Sequence, residues 1–60
     1  MNTGFVVLNV ETMKFHKIAD KIAVFEKENS AHSVGTSSIG LYTLVEVSIT
    51  DGNKNLFEFV

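Results

Sequence analysis

The sequence predicts an α+β fold: one small, mostly antiparallel sheet in the order β-β-α-β-β, with one short helix packed on one face. Three observations predict it. The chain opens on a β-branched and aromatic run, closes on an alternating run with a return, and carries a small, polar, glycine-bearing stretch between them. Sixty residues make a single compact domain, 1–60, of a size that buries only about 60% of its unfolded surface.

The first element is GFVVLNVET, Gly4 to Thr12. Its β-branched and aromatic content reads as a buried strand. Leu41 to Thr50, LYTLVEVSIT, alternates. Thr43, Val45, Val47 and Ile49 fall on one face, and Tyr42, Leu44, Glu46 and Ser48 on the other. Asp51-Gly52-Asn53 is a turn signal, because these residues tolerate hairpin dihedrals. Asn55 to Val60 then returns. A three-residue loop sets Val47 opposite Phe57 and Val45 opposite Phe59, joining apolar to apolar. It also sets Glu46 opposite Glu58. A two-residue Asp51-Gly52 loop is disfavoured because it sets Val45 against Glu58. Val45, Val47, Phe57 and Phe59 are the candidate core of this hairpin.

The middle admits two readings. A helix over 13–28 gathers Phe15, Ile18, Ala19, Ile22, Ala23 and Phe25 on one arc, with Thr12 as N-cap. Alternatively residues 14–25 are extended, bent near Asp20, and the helix runs over 27–38. The early helix puts Lys14 and Lys17 at its positive end and Glu26 and Glu28 at its negative end. It also leaves a long irregular loop, uncommon in a small domain. The later helix reverses both problems. It starts on Glu26 and Glu28, turns Ala31 and Val34 inward and ends at Gly35 or Gly40, although its serines and threonine are indifferent helix formers. We therefore expect the later helix. The uncovered sheet face would then carry Tyr42 and Leu44, with Leu56 and Val60 nearby, as an amphipathic surface for self-association or a partner.

Composition narrows the function classes. There is no Cys, so disulfides and thiolate metal sites are excluded. Oligomerisation is the remaining remedy for a thin core, and a dimer or higher assembly is expected. Five lysines face seven acids, for a net charge of −2, and Arg is absent. That balance argues against nucleic acid, whose binders carry a basic excess. No apolar run is long enough for a membrane span. No basic-then-apolar leader follows Met1, so a cytoplasmic place is expected, in a bacterium or an infected host cell.

No catalytic grouping emerges. The acids are dispersed, and a working carboxylate pair needs a shared, water-poor cleft. His16 and His32 lack the further ligands a metal requires, and no cofactor is expected. Ser30-Ala31-His32-Ser33 places a serine beside a histidine, but without an orienting group or an oxyanion hole. The stretch Ser33 to Ser38 offers hydroxyls and a glycine that could turn backbone N–H groups toward an anion. It lacks the lysine and spacing of a P-loop.

The hairpin-helix-hairpin plan resembles, in size and element order, many small phage-encoded inhibitors. That likeness implies a protein that blocks a host protein. The leading expectation is accordingly a non-enzymatic binding protein that occupies a surface of a partner protein. Ser30, His32, Ser33, Thr36, Ser37, Ser38, Tyr42 and Leu44 are the candidate contact residues. An oligomeric binder of a nucleotide or other phosphorylated ligand through residues 30–38 is the second expectation. A structural subunit or assembly factor is the third.

Overall fold

The computed structural model describes residues 2–50 and 57–60. It is the expected small α+β fold: a mostly antiparallel sheet with one short helix packed against it. Two eight-residue strands form the spine, β1 (Asn2–Asn9) and β5 (Tyr42–Ile49), paired antiparallel from Asn2 opposite Ile49 to Asn9 opposite Tyr42. Two short strands, β2 (Lys14–Phe15) and β6 (Phe57–Phe59), flank them in the order β2-β1-β5-β6.

The first strand stops at Asn9 rather than running to Thr12. The Asn9 side chain causes the stop. Its Oδ1 accepts from the backbone N–H of Glu11 at 2.9 Å and of Thr12 at 3.3 Å, and its carbonyl accepts from Met13 at 2.8 Å. An asparagine that bonds forward in this way favours a turn over a strand. Met13, with φ of 58°, completes the reversal.

Residues 13–28 are not a helix. The chain from Lys14 to Phe25 follows the free edge of β1 and leaves it once. His16 N–H donates to the Val7 carbonyl at 2.8 Å, and Phe25 exchanges two bonds with Phe5 at 2.7 and 2.8 Å. Between them the chain projects as a small hairpin of β3 (Lys17–Ile18) and β4 (Lys21–Ile22), closed at its base by Ala23 N–H to the His16 carbonyl at 3.1 Å. Its two-residue tip, Ala19-Asp20, has φ of 53° and 66°. Both angles are positive, as a turn matching strand twist requires. This is the bend expected near Asp20.

The helix is the later one. Helix α1 spans Glu28–Val34, and a π-helical turn, Gly35–Ile39, continues it. Glu28 lies in the first turn, as the macrodipole favours. Ala31 is fully buried and Val34 half-buried. Gly40 N–H donates to the Gly35 carbonyl at 2.8 Å, and Gly40 ends the helical path with φ of 92°, a conformation open to glycine.

Which face the helix covers differs from expectation. Tyr42 and Leu44 share a face with Phe5 and Val7, by the alternation of the β1–β5 register. The Tyr42 ring lies so close to Gly35 that a Cβ there would stand 2.5 Å from ring carbons. The Tyr42–Leu44 face is thus the one beneath the helix, not a spare outer face. Glycine at 35 is what allows the helix to come down onto the ring.

The other face closes on itself. Phe15 of β2 and Phe59 of β6 stand on the outermost strands, yet their rings stack at 5.6 Å. In a flat sheet three strand spacings would separate those strands by about 14 Å. The sheet is therefore strongly coiled, and Val6 and Val47, on the concave face, are fully buried. Phe57 packs edge-to-face on Phe59 at 5.8 Å.

The β5–β6 register is shifted by two residues from expectation. Val47 opposes Phe59, Ile49 opposes Phe57 and Ser48 opposes Glu58. A shift of two keeps apolar residues on one face and removes the expected Glu46–Glu58 confrontation. Of the four candidate core residues, Val47 is fully buried, Val45 and Phe57 are half-buried, and Phe59 remains 56% exposed. The expected turn at residues 51–53 and the first residues of the return strand, 55–56, lie outside the described residues.

Two stability outcomes follow from this packing. Gly35→Ala should destabilise the fold by about 1–3 kcal/mol through overpacking, and most of that loss should vanish when Tyr42→Ala is also present. Urea denaturation of the two single variants and the double variant measures the coupling. The double substitution Ala19→Asn with Asp20→Gly should raise stability by about 1 kcal/mol, since Asn followed by Gly is the pair that most readily adopts positive φ at both positions of a two-residue hairpin turn.

Candidate functional site

Helix α1 and strand β5 do not close completely over one another. Between them runs an open groove of about 580 Å³, lined by Phe5, Glu28, His32, Tyr42, Leu44 and Glu46 together with Thr43. Alternation along β1 and β5 places Phe5, Tyr42, Leu44 and Glu46 on the helix-facing side. The spacing of Glu28 and His32, one helical turn apart, puts both on one face of α1.

A chain of polar contacts crosses the end of the groove. Tyr42 Oη lies 2.8 Å from His32 Nδ1 and 3.3 Å from Thr36 Oγ1. His32 Nε2 lies 3.8 Å from Glu28 Oε1. One assignment satisfies every group: the Thr36 hydroxyl donates to Tyr42 Oη, Tyr42 donates to His32 Nδ1, and the remaining Nε2–H faces the Glu28 carboxylate. The imidazole and tyrosine rings also meet edge-on at 5.8 Å.

This chain ties helix to strand. Its chemistry is bounded by its exposure. The His32 and Glu28 side chains are 51% and 60% exposed, whereas a carboxylate or imidazole tuned for acid–base work sits in a water-poor cleft. No group of three or more His, Asp or Glu side chains among the described residues is placed to hold a metal ion.

The sequence-predicted contact residues divide into two sets. His32, Thr36 and Tyr42 are brought together, and Leu44 joins Tyr42 in the groove. Ser30, Ser33, Ser37 and Ser38 stand exposed on the outer side of the helical segment. Ser33 shares a shallow depression with Asn29, His32 and Thr36. The Ser37 hydroxyl turns back to donate to the Ser33 carbonyl at 2.8 Å.

The backbone N–H of Gly35, the glycine expected to turn donors toward an anion, is engaged inside the helix. Gly35 is right-handed helical, and its N–H bonds the carbonyls of Ala31 and His32. The sequence reading did not assign Glu28, Phe5 and Glu46 to the site. The i,i+4 spacing of Glu28 and His32 was a readable signal for the first, but the other two depend on strand register.

No helix among the described residues is long and apolar enough to cross a membrane. Comparison with known proteins gives no relative: no family model, no curated protein and no solved structure matches this chain.

The polar chain and the outer hydroxyls should respond differently to truncation. Tyr42→Phe removes a hydroxyl that two side chains use, and should cost about 1 kcal/mol. Ser30→Ala and Ser38→Ala should each change stability by less than about 0.5 kcal/mol, as surface substitutions do. Thermal and urea unfolding of the three variants check the contrast.

Proposed function

We propose that the protein is a non-enzymatic binding protein that occupies a surface of a partner protein, with the partner engaging the outer edge of β6. The observation that carries this reading is the exposure of that edge: Phe59 is 56% and Val60 84% exposed, beside the last strand of the sheet. Val60 N–H donates to the Glu46 carbonyl at 3.4 Å. Alternation along the strand then turns the N–H and C=O groups of Phe57 and Phe59 away from β5. An edge with outward donors, acceptors and apolar side chains suits addition of a partner strand.

The likeness of the plan to small phage-encoded inhibitors makes a host protein the partner to seek, in bacterial or infected-host cytoplasm. The rival reading, a binder of a nucleotide or other phosphorylated ligand, is less well supported. The Gly35 and Gly40 N–H groups are used within the helical segment, and the neighbouring groove carries Glu28 and Glu46. A structural or assembly role would use the same open edge with the protein's own copies in place of a foreign strand.

Immobilised protein should recover one host protein from lysate, and Val60→Lys should abolish the recovery while leaving the melting temperature unchanged. A thermal-shift screen against nucleotides should give no rise, since a ligand that binds the folded state stabilises it by mass action. Equal recovery by Val60→Lys, or a nucleotide-dependent rise, would overturn this reading.

A further inference from the structure

We infer that the groove between α1 and β5 is the receptor for a second copy of this chain, which inserts the Ile18–Lys21 face of its β3–β4 hairpin. The two copies exchange hairpins reciprocally in a two-fold dimer. The inference is independent of the β6 edge.

The plug comes first. Ile18 and Lys21 are directly opposed across β3 and β4, so their side chains stand together on one face of the hairpin. Ile18 is 58% exposed and Lys21 is exposed. The tip between them is a two-residue turn with both residues at positive φ. Such a tight turn holds the pair in a fixed orientation and limits the freedom lost on docking.

The socket carries the complementary chemistry. Phe5 and Leu44 supply apolar surface, and Glu28 and Glu46 supply carboxylates. Its volume, about 580 Å³, falls within the range of about 300–1,000 Å³ typical of small-ligand sites. Ile18 fits the apolar floor, and Lys21 fits Glu46. No salt bridge of either Lys21 or Glu46 occurs among the described residues. Asp20, beside Lys21 at the tip, then meets the depression formed by Asn29, His32, Ser33 and Thr36, which presents hydroxyl, amide and imidazole groups.

Charge is what selects a second copy as occupant. Lys14, Lys17 and Lys21, three of the chain's five lysines, lie on β2 and the hairpin, while the charged walls of the groove are two glutamates. Both halves of a complementary contact are thus carried by one chain. Their placement favours closure over polymerisation. The hairpin leaves β1 at His16, which bonds Val7, and rejoins it at Phe25, which pairs with Phe5 of the groove floor. A reciprocal exchange, in which each copy's hairpin enters the other's groove, is isologous and closes at two copies, whereas a one-way contact whose rotation does not close builds an open filament. The thin core gives the dimer a purpose: five side chains make up the buried apolar set among the described residues.

Charge reversal in sedimentation equilibrium tests the contact, run from about 1 to 500 μM, a range that brackets weak reversible association. The wild type should move from the 6.6 kDa monomer to twice that mass, with a melting temperature that rises with concentration. Lys21→Glu and Glu46→Lys should each weaken dimerisation by at least about tenfold, because each sets like charges together at both contacts. An equimolar mixture of the two variants should dimerise again, since each hairpin then meets an opposite charge. Ile18→Ser should weaken the dimer without affecting the mixture's charge logic. All substituted side chains are exposed, and far-UV circular dichroism confirms that each variant is folded. A wild type that stays monomeric overturns the inference. So does a dimer insensitive to both reversals, or a mixture that fails to recover, either of which would assign the association to another surface such as the β6 edge.

Discussion

The contact between the Tyr42 ring and Gly35 constrains the rest of the molecule. A side chain at position 35 would collide with the ring at 2.5 Å, so the helix can settle only because that position is bare. Once settled, it buries Ala31 and Val7 and brings His32 and Thr36 within reach of the tyrosine hydroxyl. The π-helical turn follows from the same place. The helix must pass over the ring and then deliver the chain to Tyr42 within a few residues, and the wider i→i+5 path from Gly35 to Gly40 does this. The groove is the remainder of that fit: the ring props the helix at one end, leaving Phe5 and Leu44 accessible between Glu28 and Glu46.

A four-stranded sheet with one helix has two faces to cover and only one cover. This chain resolves the shortfall by coiling. The Phe15–Phe59 stack draws the outermost strands over Val6 and Val47, so the concave face needs no second layer. The hydrophobic surface that remains is displaced to rims and tips: Val10 and Met13 in the first turn, Ile18 on the hairpin, Leu41 before β5, Phe59 and Val60 at the last edge. On the proposed reading, surface distributed in this way suits strand addition and plug-and-socket contacts better than docking on a flat sheet face.

The elements were legible in the sequence to the extent that local chemistry determined them. Alternation from Tyr42 to Ile49 is readable, as is a helix end at Gly35 or Gly40, and the charges at the helix ends, with the long loop an early helix would leave, decide correctly for the late helix. Asn9 departs from the expected strand: its β-branched neighbours predict strand through Thr12, but one amide side chain is enough to turn the chain. The hairpin register differs from the expected one by two residues for a different reason. The face pattern repeats every second residue, so it cannot distinguish registers that differ by two, and the choice depends on packing between Phe15 and Phe59 across the whole sheet. The covered face is the opposite one from that expected, because alternation separates the two faces of β5 but does not say which of them the helix crosses. The Tyr42 hydroxyl is satisfied by residues of the helix.

The candidate site shows the same division. His32, Thr36 and Tyr42 could be nominated from composition, because small polar groups near glycine mark places where the chain can approach something closely. Their union could not be read, since it depends on where the helix crosses the sheet. Phe5 and Glu46 lie forty-one positions apart in sequence, yet they are direct cross-strand partners. A residue pair of this kind becomes visible only when the β1–β5 register is fixed, and that register rests on eight consecutive backbone pairings rather than on any motif. The rims of the sheet, the hairpin tip and the gap beneath the helix are each shaped first by the requirement to close a core around Val6, Val7 and Val47.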